Sequence, residues 1–150
     1  MPQRDFKNNV QVVHLNTMAL SGVTPEATDW VDTLGFDSCT FVVVTGTVVD
    51  AGTAAGIVFE VQDADDDAAA SAVAVNDLEL IGAESALSVL LDTQDNVITG
   101  TIGYVGDARF VRLNATGSTL TDAPVTVLAI LERGARMPTD AGVGTSVAAT

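Results

Sequence analysis

The sequence predicts an all-β protein, a β-sandwich of jelly-roll type with about eight strands. Two β-branched residues dominate the chain, with 22 Val and 18 Thr among 150 residues, and such residues restrict χ1 and pack well on a pleated surface. Short apolar segments also recur at near-regular spacing between turn residues, and no long amphipathic helix interrupts them. A chain of this length most simply forms one domain with a sizeable core.

The first half of the chain contains three predicted strands. Residues 10–15 (VQVVHL) form the first, and residues 16–29, which include Ser21, Gly22 and Pro25, predict a long loop. A short apolar segment at residues 30–34 ends at a glycine. The second strand, residues 39–47 (CTFVVVTGT), is apolar at both odd and even positions, which indicates that both of its faces are covered.

The third strand and the segment after it differ in how clearly they are predicted. Residues 52–56 are a turn signal, and residues 57–62 (IVFEVQ) then alternate, with Ile57, Phe59 and Val61 on one face. Residues 63–67 (DADDD) predict an acidic turn. Residues 68–75 are rich in Ala and fit either a helical turn or a weak strand, so both remain open.

Four further strands are predicted in the second half. They cover residues 86–91, 97–104, 109–116 and 125–131, and residues typical of turns separate them. In the third of these strands, Val111, Leu113 and Ala115 share one face. This pattern completes the set of about eight strands.

The chain divides into a central domain and two arms. Residues 1–9 form a polar N-terminal arm, residues 10–133 the β-sandwich, and residues 134–150, which show no periodicity, a C-terminal arm or tail. The polar start lacks the apolar stretch of a signal peptide, and no window of about 18 apolar residues could span a membrane. We therefore expect no membrane partner.

The chain is strongly acidic, and its charged residues are unevenly distributed along the sequence. The chain has 20 acidic and 6 basic residues, a net charge of -14 and a pI of about 4.1. A nucleic-acid-binding protein needs a basic patch to neutralise phosphates, so we expect no nucleic-acid partner. Every Lys and Arg lies before Asn8 or after Asp107. We expect Arg109 or Arg112 to pair with a nearby acid such as Asp107.

No pattern predicts a catalytic, cofactor or metal site. The carboxylates of residues 63–67 suit calcium, but Ala68 and Ala74 stand where an EF-hand loop needs Gly and Glu. A solvated hairpin tip is the preferred interpretation, and calcium binding stays open. His14 has no accompanying nucleophile signature. Cys39 begins an apolar strand with no basic neighbour, so it is predicted to be a small core residue.

Carbohydrate binding is an alternative that the aromatic residues leave open. Sugar rings stack on exposed aromatic side chains, and Trp30 and Tyr104 are the candidates for this role. The preferred interpretation is that both pack within the domain.

Four segments resemble the capsid cement, or decoration, proteins of tailed phages of the marine siphophage type. They are residues 35–46 (GFDSCTFVVVTG), 59–66 (FEVQDADD), 102–112 (IGYVGDARFVR) and 133–138 (RGARMP). The last two are the most specific, since a G-Y-x-G turn followed by an R-aromatic-V-R strand is typical of the group. The Ala-rich and Asp-rich stretch after Gln62 departs from the family pattern.

The resemblance implies a structural virion protein without enzymatic activity. Such a protein would bind the outer surface of an assembled capsid, contact the major capsid protein and bridge neighbouring capsomers. It would be located on the virion and form a homo-oligomer, either a dimer or a trimer. The alternative function is a carbohydrate-binding or adhesin module of a phage head fibre or tail.

The arms are the predicted contact regions, because Arg and Met are enriched at protein interfaces. The predicted capsid contacts are Arg4, Phe6, Lys7, Arg133, Arg136 and Met137.

Overall fold

Two antiparallel β-sheets pack face to face in the computed structural model, which describes residues 9–51, 56–118 and 121–134. The strands are β1 (Val10–Ser21), β2 (Glu26–Ala27), β3 (Val31–Asp32), β4 (Ser38–Thr45), β5 (Val58–Ala64), β6 (Val73–Ala74), β7 (Leu80–Ile81), β8 (Ile98–Tyr104), β9 (Phe110–Thr116) and β10 (Asp122–Glu132). Three short 3-10 helices cover Ala69–Ser71, Asp77–Glu79 and Glu84–Leu87.

The strand order confirms the predicted sandwich. The first sheet has the order β1-β10-β4-β8-β7, and the second has the order β2-β9-β5-β6 with β3 also on β9. Because β2 and β3 both pair with β9, they act as one interrupted strand, and β7 adds only two residues beside β8. The remaining eight strands cross between the sheets in the order of a jelly roll, with only β5 and β6 consecutive in one sheet.

The core lies between the two sheets and follows the predicted alternation. On β9, the inward residues Val111, Leu113 and Ala115 are all fully buried. Phe59 and Val61 of β5 are buried opposite the first sheet, and Cys39, the second residue of β4, lies in the same cluster. These two predicted faces are therefore confirmed.

The first strand is longer than predicted. β1 continues to Ser21, so the prediction of a loop from residue 16 was wrong for its first six residues. The register against β10 shifts between His14 and Asn16, which marks a β-bulge. The inward residues are odd-numbered before the bulge and even-numbered after it, namely Val13 and Leu15, then Met18 and Leu20. Because the inward positions change from odd to even numbers, the sequence of β1 does not show one continuous alternation.

The predicted strand at residues 86–91 was also wrong. The chain there forms the 3-10 helix Glu84–Leu87 and a single bridge from Val89 to Ile57. Leu87 and Val89 are fully buried, so the segment fills the side of the sandwich between β5 and β8. Residues 68–75, left open by the sequence, contain both a 3-10 turn and the short β6.

Across the described ranges, no helix is long and apolar enough to cross a membrane.

Candidate interaction surfaces

Both predicted arms start at the same end of the sandwich. Val10, the first residue of β1, lies opposite Glu132, the last residue of β10. Glu132 in turn lies opposite Ser38, where β4 begins. The N-terminal arm therefore ends, and the C-terminal arm begins, beside one another. We call this the arm end.

A cleft of about 480 Å³ opens at the arm end. One wall is residues 33–37, which follow β3, and the other is residues 105–109, which connect β8 to β9. The Thr33 amide and its hydroxyl both donate to the Arg109 carbonyl, each at 2.8 Å, and these bonds join the two walls. Leu34 is 69% exposed on the rim, and the Asp37 and Asp107 side chains are exposed beside it. Both walls of the cleft therefore mix polar and apolar residues, and each wall carries a carboxylate.

Tyr104 fixes the shape of the 105–109 wall. Its buried hydroxyl donates to Asp63 Oδ2 at 2.9 Å and accepts a hydrogen bond from the Ala108 amide at 3.1 Å. A Cβ on Gly106 would lie 2.5 Å from this hydroxyl, so the turn requires glycine there. Burial, and then the Asp63 carboxylate, raise the pKa of Tyr104 well above its usual range. The G-Y-x-G segment therefore has a structural role.

Arg109 pairs with a different acid from the one predicted. Its Nη2 lies 2.6 Å from Asp32 Oδ2, and its Nε donates to Asp32 Oδ1 at 3.0 Å, so the contact is bidentate. The pairing of β3 with β9 places Asp32 within reach of Arg109. Asp107 is closer in the sequence, but closeness in the sequence does not show which acid lies nearer in the fold. The hydrogen bond from Arg109 holds the pKa of Asp32 below its usual range.

The two aromatic residues considered for sugar stacking are both buried. Trp30 packs against Ala64 and Phe110 in a small cluster, and the Arg112 guanidinium lies 4.4 Å above its ring. Tyr104 lies in the main core. Neither ring presents a face to solvent, so the packing interpretation of Trp30 and Tyr104 is confirmed.

Only one of the six predicted capsid contacts lies in the described part of the chain. Arg133 is exposed at the arm end, and its Nε lies 3.5 Å from Asp37 Oδ2, an exposed ion pair on the cleft rim. Its φ of 56° turns the chain away from the line of β10. Arg4, Phe6, Lys7, Arg136 and Met137 lie outside the described residues.

The remaining candidates show no clustering of reactive groups. His14 is exposed on β1, whereas Cys39 is buried, and burial raises the pKa of its thiol to about 12. The Asp66 carboxylate accepts a hydrogen bond from the Ala68 amide at 3.0 Å, as expected for a hairpin tip. Within residues 9–51, 56–118 and 121–134, no three His, Cys, Asp or Glu side chains are grouped to hold a metal ion.

Sequence reasoning missed a second surface, the outer face of the first sheet. Paired residues share a face, so the register aligns the outward side chains of β1, β10, β4, β8 and β7 in rows. Between Asp122 and Glu132, which lie at its two ends, this face carries no acid, Lys or Arg in the described strands. Its residues are Val12, His14, Thr17, Ala19, Thr40, Val42, Val44, Ile81, Ile98, Thr101, Gly103, Pro124, Thr126, Leu128 and Ile130.

The fold and these two surfaces define the chain as a jelly-roll β-sandwich protein with an arm end and an uncharged sheet face. No protein-family model matches the chain, and no curated protein matches it. Among solved structures, the crystal structure of PBSX exported protein XepA is similar, with a TM-score of 0.48 and 12% sequence identity. The match covers 82% of this chain but only 37% of that one, and a likeness of this size assigns no function.

Proposed function

We propose that the protein is a structural virion protein that binds the outer surface of an assembled tailed-phage capsid and bridges neighbouring capsomers. The four segments that resemble phage cement proteins support this function. The single structural observation in its favour is the pairing of Val10 with Glu132, which starts both arms at one end of the sandwich.

Two arms that start at the same end of the sandwich allow the protein to bind a capsid shell through that end. A rigid sandwich stands on the shell by its arm end, and each arm extends across a different neighbouring subunit with backbone hydrogen bonds and a few anchors. Many copies on one particle multiply a modest affinity for each contact. The proposed partner is therefore the major capsid protein, and the proposed anchors remain Arg4, Phe6, Lys7, Arg133, Arg136 and Met137.

The distribution of charge supports the same orientation. Four of the six basic residues, Arg4, Lys7, Arg133 and Arg136, belong to the two predicted arms or lie next to them in the sequence, and a fifth, Arg109, lines the cleft at the arm end. The acidic body would face salt water, where mutual repulsion keeps particles apart. In this proposal the protein has no catalytic activity and is located on the outer capsid surface.

The test uses capsids that lack the protein and purified chains added back to them. Deleting residues 1–9 or residues 134–150 should each lower the number of copies bound per capsid, measured by quantitative mass spectrometry. Val23→Lys, an exposed change at the end of the sandwich opposite the arms, serves as the control and should bind as the full chain does.

Circular dichroism of each deletion variant verifies that the sandwich remains folded. Undiminished occupancy by both deletion variants would contradict the proposed role of the arms. A full chain that does not bind capsids at all would overturn the proposed function.

A further inference from the structure

We propose that the outer face of the first sheet is a homodimer interface, on which a second copy of this chain packs. This interface gives a surface and a stoichiometry to the homo-oligomer that is expected of a cement protein. It rests on the residues of the sheet itself and not on the arm end.

The chemistry of the face is unusual for a sheet that meets water. Antiparallel sheets with one solvated side normally alternate apolar residues inside with polar residues outside. Here the outward residues are aliphatic or Thr, apart from His14, Gly103 and Pro124, and three aliphatic side chains are strongly exposed: Val12 by 46%, Ile81 by 65% and Ile98 by 63%. Leu128 lies half-buried near the centre of the face, between His14 and Val42. Exposed apolar patches of this kind mark interaction sites.

The distribution of charge permits a second copy on this face and argues against a basic partner there. Each chain carries a net charge of -14, so two copies repel one another wherever their acidic surfaces meet. The outer face of the first sheet lets two chains approach without bringing carboxylates together. A basic partner would instead be bound by the acidic surfaces, because complementary charge steers and orients association.

The size and shape of the face suit a symmetric dimer. Four long strands, roughly 4.8 Å apart and with about eight residues each at about 3.3 Å per residue, give a face of about 19 by 26 Å. Each copy thus covers about 500 Å², and the pair about 1,000 Å², which meets the lower limit for a specific interface. Two sheet faces pack well against one another, and a two-fold axis places the same patch on both copies.

The experiment measures the mass of the full chain in solution by sedimentation equilibrium. The wild-type protein should have twice the chain mass of 15.4 kDa. Leu128→Lys places a charge at the centre of the face, and Val12→Lys places one at an already exposed position near its edge. Each should raise the dissociation constant of the dimer by about tenfold or more, because the buried ammonium loses its hydration.

Val58→Lys is the matched control. Val58 is 49% exposed on β5 of the second sheet, close to the 46% of Val12, so the two substitutions differ mainly in the sheet that bears them. Each substitution adds one positive charge and so reduces the net negative charge of the chain by the same amount. Greater repulsion between whole chains therefore cannot explain the loss of a dimer in any variant. Val58→Lys should remain a dimer.

Three outcomes would contradict the proposed dimer. A monomeric wild-type chain, a trimer, or a dimer that both Val12→Lys and Leu128→Lys leave intact would overturn it. Val12 is exposed, so its substitution tests the interface even if Leu128→Lys fails to fold. Capsid occupancy is measured separately, so a monomer that still occupies capsids would refute the dimer and leave the proposed function standing.

Discussion

Removing the hydroxyl of Tyr104 tests the structural role of the most specific sequence motif. Tyr104→Phe keeps the ring in the core but deletes the hydrogen bonds to Asp63, at 2.9 Å, and from the Ala108 amide, at 3.1 Å. A hydrogen bond to a charged group contributes about 1.5–3 kcal/mol, and a neutral one about 0.5–1.5 kcal/mol. The loop is partly solvated, so water replaces some of this contribution. We therefore expect the free energy of unfolding to fall by about 2–3 kcal/mol.

The assay is urea unfolding followed by circular dichroism at neutral pH. The denaturation midpoint should fall while the slope of the transition stays the same, because the surface exposed on unfolding is unchanged. Val105→Ala, an exposed change beside Tyr104, is the control and should cost at most about 0.5 kcal/mol. If Tyr104→Phe were no more destabilising than Val105→Ala, the Tyr104 hydroxyl would not hold the 105–109 wall.

Three further predictions concern single contacts. Gly106→Ala should destabilise the fold by about 1–3 kcal/mol in the same unfolding assay, because its Cβ would lie 2.5 Å from the Tyr104 hydroxyl; a neutral effect would contradict that geometry. Arg109 lowers the pKa of Asp32, so this carboxylate stabilises the folded state above its unfolded pKa, and that contribution disappears as pH falls through the lower folded pKa. The destabilisation caused by Asp32→Asn, measured by thermal melts, should therefore shrink in acid, and a constant difference at all pH values would refute the pairing. The Cys39 thiol, with a pKa raised to about 12, should react with iodoacetamide at mildly alkaline pH only after unfolding, and rapid labelling of the folded chain would contradict its burial.

The parts of the fold that local alternation determines could be predicted from the sequence. In β5 and β9 the inward residues stay at odd-numbered positions along the whole strand. Phe59, Val61 and Leu113 therefore point inward, as the pattern indicates. β1 changes parity at its bulge, and a period-two pattern cannot follow an inserted residue. Leu87 and Val89 alternate like a strand, but Leu87 ends a 3-10 helix and Val89 forms a single bridge to Ile57, and both are buried at the side of the sandwich.

The surfaces depend on strand pairing, which a single sequence does not give. Composition predicts two polar arms, but only the register of β1 against β10 brings their starting points together. Arg109 lies two residues from Asp107 and 77 from Asp32, yet the pairing of β3 with β9 favours the distant acid. The uncharged face likewise emerges only when the outward residues of β1, β10, β4 and β8 are aligned across the sheet.

Cryo-electron microscopy of the purified phage particle is the decisive test of the proposed binding to the outer capsid surface. We expect the map to show a jelly-roll sandwich on the outer surface of the shell, with its arm end against the capsid and density for both arms across neighbouring capsomers. A particle without this protein on its surface, or a sandwich bound to the shell by the end opposite the arms, would contradict the proposed function.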